Sequence, residues 1–147
     1  MSLAALSISD AARDIREGRI TSVELVEDCL KRIAETDPKV EAWAFLDPGH
    51  ARAQAQMLDE HRRHGRALGP LHGVPVGIKD IFDTSDMPTE FGSPYWAGRT
   101  PRRDAAAVAR LREAGAVIMG ETVTTEYAYF HPGKTRNPHH AERTPGG

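Results

Sequence analysis

Cysteine is almost absent from this sequence of 147 residues. Its single thiol, Cys29, excludes a disulfide framework within the chain, which is typical of proteins from a reducing compartment. Cys29 falls on the apolar stripe of a predicted helix, so we interpret it as a buried core side chain rather than a nucleophile. This cysteine usage leads us to expect a cytoplasmic protein.

Strong charge of one sign and long apolar runs are also lacking. The 19 basic and 21 acidic residues give a formal net charge of −2, which does not favour contacts with nucleic-acid phosphates. No apolar run approaches the roughly 20 residues that cross a bilayer, and no signal-peptide pattern is present. We therefore expect neither a membrane nor a directly bound nucleic acid as a partner.

Helical patterns dominate the first part of the chain. A short helix is predicted over about residues 10–16. Thr21 and Glu24 form a T-x-x-E capping box, and a helix of about four turns is predicted behind it from apolar residues at helical spacing, namely Val26, Cys29, Leu30 and Ile33. Asp47 and Pro48 begin a further helix over residues 49–64, which Gly65 ends.

Strand patterns follow in a recognisable order. Residues 41–46 and 74–82 are predicted strands, and residues 83–103 form a long irregular segment. Asp104 is expected to cap a helix that ends at Ala114, and residues 116–121 form the next strand. Strand, loop, helix and strand make a βαβ unit, which predicts an α/β fold with a parallel or mixed sheet.

Lys79 stands at the end of the most strand-like segment, "GVPVGIKDIFDTSD" (73–86). Alternation places it on the face opposite the apolar residues Val74, Val76 and Ile78, and beside Gly77. We expect open space there and partial burial of the lysine, which would disfavour its charged form and prepare it for proton transfer. The alternative is a structural lysine that reaches water or pairs with Asp80 or Asp83.

The histidines give no metal site. His61 and His64 lie three apart on a predicted helix, but a third ligand is lacking and the flanking arginines would repel a cation, so we interpret them as a surface pair. His72 is interpreted as structural. We expect no metal and no cofactor.

Two further groups carry open interpretations. Gly146 and Gly147 could begin an anion-binding or oxyanion-binding turn, since glycine lets backbone N–H groups converge. Glu126 and Tyr127 either line a pocket or pack in the core. No complete serine–histidine–aspartate set follows from the spacing.

Four segments, in order and at ordinary spacing, resemble the amino-terminal third of the amidase signature family. They run from Gly69 to the end of the sequence: "GPLHGVPVGIKDIFDT", "MPTEFGSPYWAG", "RDAAAVARLREAGAVIMGETVTTEYAY" and "TRNPHHAERTPGG". The resemblance implies an α/β fold with a mixed, mostly parallel sheet flanked by helices. Residues 1–147 would be the amino-terminal portion of one domain, with a helical lead-in (1–66) and the start of the catalytic core (67–147).

The resemblance implies an amidase that acts on a small-molecule amide through a Ser-cisSer-Lys set, with Lys79 as general base and acid. The family's glycine-serine run would begin at Pro145, with Gly146 and Gly147 as its first glycines. Both serines would follow Gly147, so we expect the 147 residues alone to be inactive. Glu126 and Tyr127 would lie near the acyl pocket, and a homodimer is left open.

Two alternatives remain. One is an A-subunit-like, glutamine-dependent amidotransferase that acts on an aminoacyl-tRNA with partner subunits. The compact segment "EYAYFHPGKTRNP" mildly favours a stand-alone amidase over it. The other is a short, non-catalytic chain. Because the sequence stops on a glycine-rich turn without a closing element, we expect it to be the front part of a longer protein.

Overall fold

The computed structural model describes residues 2–146. Within this range the chain forms four α-helices and three β-strands. The helices are α1 (Ile8–Arg16), α2 (Ser22–Val40), α3 (Pro48–Arg63) and α4 (Ala106–Glu113), and the strands are β1 (Trp43–Leu46), β2 (Pro75–Lys79) and β3 (Val117–Thr122).

The predicted starts of α2 and α3 are confirmed, whereas α1 begins two residues earlier than expected and α4 begins at Ala106, with the Asp104 carboxylate accepting the Ser85 N–H at 2.7 Å. The Glu24 carboxylate accepts the Thr21 N–H at 2.7 Å, and the Thr21 hydroxyl accepts the Glu24 N–H at 3.1 Å, so both halves of the capping box are present. The Asp47 side chain accepts the His50 N–H at 2.9 Å and caps α3. Helix α2 is longer than the four turns expected, because it continues through Pro38 to 19 residues.

The three strands form a mixed sheet in the order β1-β3-β2. Strand β1 is antiparallel to β3, with Trp43 opposite Thr122. Strand β2 is parallel to β3, since the Val117 N–H donates to the Val74 carbonyl and the Asp80 N–H to the Thr122 carbonyl, each at 2.9 Å. The predicted βαβ unit and mixed α/β sheet are confirmed.

The chain divides into two compact units. The first contains the chain up to Ile33, Asp47–Val76 and Ala109–Met119, and the second contains Ala34–Leu46, Gly77–Val108 and the chain from Gly120 onward. The boundary between residues 66 and 67 stays a prediction.

The core of the first unit includes two side chains that the sequence assigned to structural roles. Cys29 is partly buried against a cluster formed by Ala11, Ile15 and Leu25, and burial raises the pKa of its thiol. His72 is buried, its Nε2 donates to the Leu58 carbonyl at 2.9 Å, and burial lowers the pKa of its imidazole. The structural interpretation of His72 is confirmed, whereas Cys29 is only partly buried.

Candidate functional site

Lys79 is the last residue of β2 and its side chain is exposed. The expected partial burial of this lysine is therefore wrong. Within residues 2–146 its ammonium has neither an ion-pair partner nor a hydrogen-bond acceptor. The structure thus presents an unpaired cation at the carboxyl end of a parallel strand.

Gly77 lies on the same face of β2 as Lys79. The space expected beside this glycine is filled, so that expectation is wrong. A Cβ atom at residue 77 would lie 2.9 Å from the Thr122 Cγ2 atom and 3.0 Å from the Trp43 ring. Glycine is needed here because the side chains of Trp43 and Thr122 lie across it, two residues before the lysine on the same face of the strand.

Asp80 faces away from Lys79 and is buried, with 3% of its surface exposed. Its Oδ1 accepts the Glu90 N–H at 2.6 Å and its Oδ2 accepts the Gly92 N–H at 3.0 Å. The backbone between them is left-handed at Phe91 (φ 58°) and Gly92 (φ 63°). Asp80 therefore anchors the turn at residues 90–92, a role that sequence reasoning left undecided.

Asp83 is also engaged elsewhere. Its carboxylate oxygens accept two hydrogen bonds from Arg99, at 2.8 and 3.0 Å, the bidentate geometry that guanidinium and carboxylate groups favour. The Asp83 carboxylate raises the pKa of Arg99. The guanidinium also lies 4.7 Å from the centre of the Phe91 ring. Of the structural alternative, pairing of Lys79 with Asp80 or Asp83 is therefore wrong, whereas a lysine that reaches water agrees with its exposed side chain.

A cavity of about 300 Å³ lies in the second unit, and Asp80 is part of its wall. Glu90 and Lys134 also line it, so charges of both signs face the space. Ser93 and Thr124 add hydroxyl groups to the same wall. This mixture of charges and hydroxyls is suited to a polar ligand rather than to a purely apolar one.

Glu126 and Tyr127, the residues expected near the acyl pocket, occupy a short 3-10 turn. The Glu126 Oε1 accepts the Ser93 hydroxyl at 2.8 Å, so Glu126 is linked to a residue of the cavity wall. The Tyr127 hydroxyl accepts the Trp96 indole N–H at 3.0 Å. Tyr127 has φ 49° and Ala128 has φ 55°, which are strained conformations for residues with a Cβ atom.

Glu121 is a buried acid that sequence reasoning did not single out. It lies in β3 with no exposed surface, and its Oε1 accepts the Thr84 hydroxyl at 2.8 Å. Its Oε2 has no hydrogen-bond partner in the described chain. Burial raises the pKa of Glu121 to about 8, and the Asp80 charge adds to this effect. The sequence signal that could have indicated a buried acid is a glutamate at the end of an apolar strand.

Gly146 is exposed with φ 106°, a backbone conformation suited to glycine, and Gly147 lies outside the described residues. Across residues 2–146, no group of three or more His, Cys, Asp and Glu side chains is arranged to hold a metal ion. None of the described helices is both long and apolar enough to cross a membrane.

The described fold superposes on about a third of the chain of solved peptide amidases. The Amidase family model matches residues 24–147. The chain belongs to the Amidase family.

Individual relatives agree with this assignment. One is the A subunit of the glutamyl-tRNA(Gln) amidotransferase of Chloroflexus aggregans. The chain is 40% identical to it over 148 aligned positions, covering 97% of this chain and 30% of that protein. It is 43% identical to the Mycobacterium tuberculosis protein AmiD, provisionally named an amidase, covering 86% of this chain and 27% of that protein.

Among solved structures, the native peptide amidase from Stenotrophomonas maltophilia superposes with a TM-score of 0.89 and 35% identity, covering 98% of this chain and 32% of that chain. This likeness confirms the expected fold class. The chain spans about 30% of the length of the curated relatives it matches.

Proposed function

We propose that this chain belongs to an amidase that hydrolyses a small-molecule carboxylic amide to a carboxylate and ammonia or an amine. The observation that carries the proposal is the unpaired ammonium of Lys79. The two neighbouring aspartates bind other groups, so they leave this lysine available for proton transfer. The similarity to a peptide amidase supports the same reaction class.

In the proposed Ser-cisSer-Lys mechanism, Lys79 acts as general base and then as general acid. Its neutral amine takes a proton from a bridging serine, which takes one from the nucleophilic serine, and the new alkoxide attacks the amide carbonyl. The returning proton leaves with the amine, and water then releases the carboxylate. Both serines would follow Gly147, and Gly146 and Gly147 would begin the turn that holds the oxyanion.

Lys79 is exposed to water in the described structure, whereas the mechanism requires its amine to accept a proton. A charged amine cannot accept a proton, and removal from water disfavours the charged form of an amine. We propose that the serine-bearing segment and the bound substrate cover Lys79 and so remove it from water. Glu126 and Tyr127 would line the acyl side of the pocket, with Glu126 held by Ser93.

We also propose a domain organisation and a cellular location for this protein. Residues 1–147 would be the amino-terminal portion of a single domain, with a lead-in over 1–66 and the start of the catalytic core over 67–147. On their own they would carry the base without the nucleophile and would hydrolyse no amide. The partly buried lone thiol of Cys29 supports a cytoplasmic location.

The decisive experiment uses the complete reading frame. We expect Lys79→Ala to lower kcat for amide hydrolysis by at least about a hundredfold while the far-ultraviolet circular dichroism stays unchanged. Lys31→Ala, which removes an exposed lysine on α2, is the matched control and should keep full activity. Normal turnover by the Lys79→Ala enzyme, or a reading frame without the two serines, would refute the mechanism.

A second candidate, the A subunit of a glutamine-dependent amidotransferase, is favoured by the 40% identity to the Chloroflexus protein over 97% of this chain. In that case the complete protein would hydrolyse glutamine in preference to other amides and would co-purify with partner subunits. Hydrolysis of a broad amide panel by the purified protein alone would decide for the stand-alone amidase.

A further inference from the structure

A cavity of about 500 Å³ lies in the first unit, separate from the residues used above. The last turns of α3 form one wall, and Arg112 and the chain at residues 115–116 contribute to another. The residues that matter for its chemistry are Met57, Leu58, His61, His64, Arg66 and Arg112.

Positive charge predominates in this cavity. Arg66 and Arg112 both line it, and Glu60 is the only acidic residue in its described lining. The Glu60 carboxylate lies 4.0 Å from the Arg63 guanidinium, which offsets part of its charge. The positive charges of Arg66 and Arg112 therefore favour an anion in this cavity.

His61 and His64 both line the cavity, and one nitrogen of each ring is already hydrogen-bonded. The His61 Nε2 lies 2.9 Å from the Ala67 carbonyl, and the His64 Nδ1 lies 2.7 Å from the Glu60 carbonyl. A carbonyl only accepts hydrogen bonds, so these nitrogens carry the hydrogen. Because both residues line the cavity, their ring signals will respond to a ligand bound there. The buried ring of His72 lies 5.5 Å from that of His61.

Apolar side chains form the rest of the wall. Met57 is 63% exposed although it is a large hydrophobic residue, and Leu58 lies next to it in the lining. An exposed apolar side chain beside guanidinium groups suits a ligand that has an acidic head and a short hydrocarbon tail. An inorganic anion would use only the charged half of the site.

We propose that this cavity binds a small organic carboxylate, with its carboxylate on Arg66 and its tail on Met57 and Leu58, while Arg112 adds positive charge to the same lining. The site is independent of the proposed amidase reaction, because none of its residues takes part in it. Bidentate guanidinium–carboxylate contacts would give the orientation, and burial of the tail would add affinity.

The test follows the imidazole signals of the full chain by NMR while hexanoate is added. We expect saturable shifts of the His61 and His64 signals and no saturable shift of His131 or His139, which do not line the cavity. Acetate should bind at least about tenfold more weakly than hexanoate, because it lacks the four methylenes that contact the apolar wall. Hexylammonium, with the same tail and the opposite charge, should not saturate.

Two variants check the assignment. Arg66→Gln removes an exposed guanidinium of the cavity and should weaken hexanoate binding about fivefold. Arg102→Gln removes an equal charge outside the cavity lining and should leave the dissociation constant unchanged. The proposal is overturned if hexanoate gives no saturable shift at His61 and His64, if hexylammonium binds equally well, or if the two variants weaken binding equally.

Discussion

Lys79 and Asp80 are neighbours in sequence but do not form an ion pair. The lysine is exposed, whereas the aspartate is buried and accepts the backbone N–H groups of Glu90 and Gly92. Because successive residues of a strand point to opposite faces, one residue can remain available at the surface while the next holds a long loop. This division of roles is the basis for the proposal that Lys79 transfers protons.

Removal of the Asp80 charge should loosen the turn at residues 90–92. Asp80→Asn keeps one acceptor oxygen but loses a charge-assisted hydrogen bond, so we expect the free energy of unfolding to fall by about 2 kcal/mol. The amides of Glu90 and Gly92 should exchange faster with deuterium. Glu35→Gln removes an exposed carboxylate on α2 and should change neither quantity. Unchanged protection of the two amides in Asp80→Asn would contradict the anchoring role.

A methyl group at residue 77 should be costly. Gly77→Ala would place its Cβ against Trp43 and Thr122, and the shift that relieves this contact should cost about 1–3 kcal/mol in urea unfolding. Gly49→Ala is the matched control, because the nearest atom to its Cβ is 3.4 Å away; it should be neutral or slightly stabilising in α3. Equal stabilities of the two variants would argue against close packing of Trp43 on the strand.

Glu121 should make stability fall as pH rises. The pKa of this carboxyl is about 8 in the folded chain, against an ordinary value of 4.5, so the folded state holds the proton more tightly than the unfolded chain. The stabilisation that comes from protonated Glu121 is complete below pH 4.5, declines between pH 4.5 and about 8, and is absent above that range.

The check compares wild type with Glu121→Gln, which keeps an acceptor for the Thr84 hydroxyl but does not titrate. We expect the variant to gain stability relative to wild type with each step from pH 5 to pH 8, measured by urea unfolding. Parallel pH profiles for the two proteins would mean that Glu121 is ionised in the folded chain.

Backbone strain at Ala128 should be relieved by glycine. Ala128 has φ 55°, a conformation that costs a residue with a Cβ atom about 1 kcal/mol. Ala128→Gly should therefore raise the midpoint of urea unfolding. Ala12→Gly, in the interior of α1, should lower it by a similar amount. A destabilised Ala128→Gly protein would show that the strain is absent or that the methyl group makes needed contacts.

Several features could be predicted from the sequence because they depend on local chemistry. The capping box of Thr21 and Glu24 and the Asp47 cap require only residues three apart, and the βαβ order follows from hydrophobic periodicity. Alternation along β2 also indicates that Asp80 is buried, because it places this residue on the same face as Ile78. The family resemblance came from four short motifs in order.

The tertiary structure decided what depends on neighbours that are distant in sequence. Trp43 reaches Gly77 because β1 lies beside β3, and that contact fills the space expected next to Lys79. Arg99 binds Asp83 across a long irregular segment, which leaves the lysine without an acidic partner. Local patterns thus determined the elements and the candidate base, whereas the burial and pairing of each charge depended on contacts between elements.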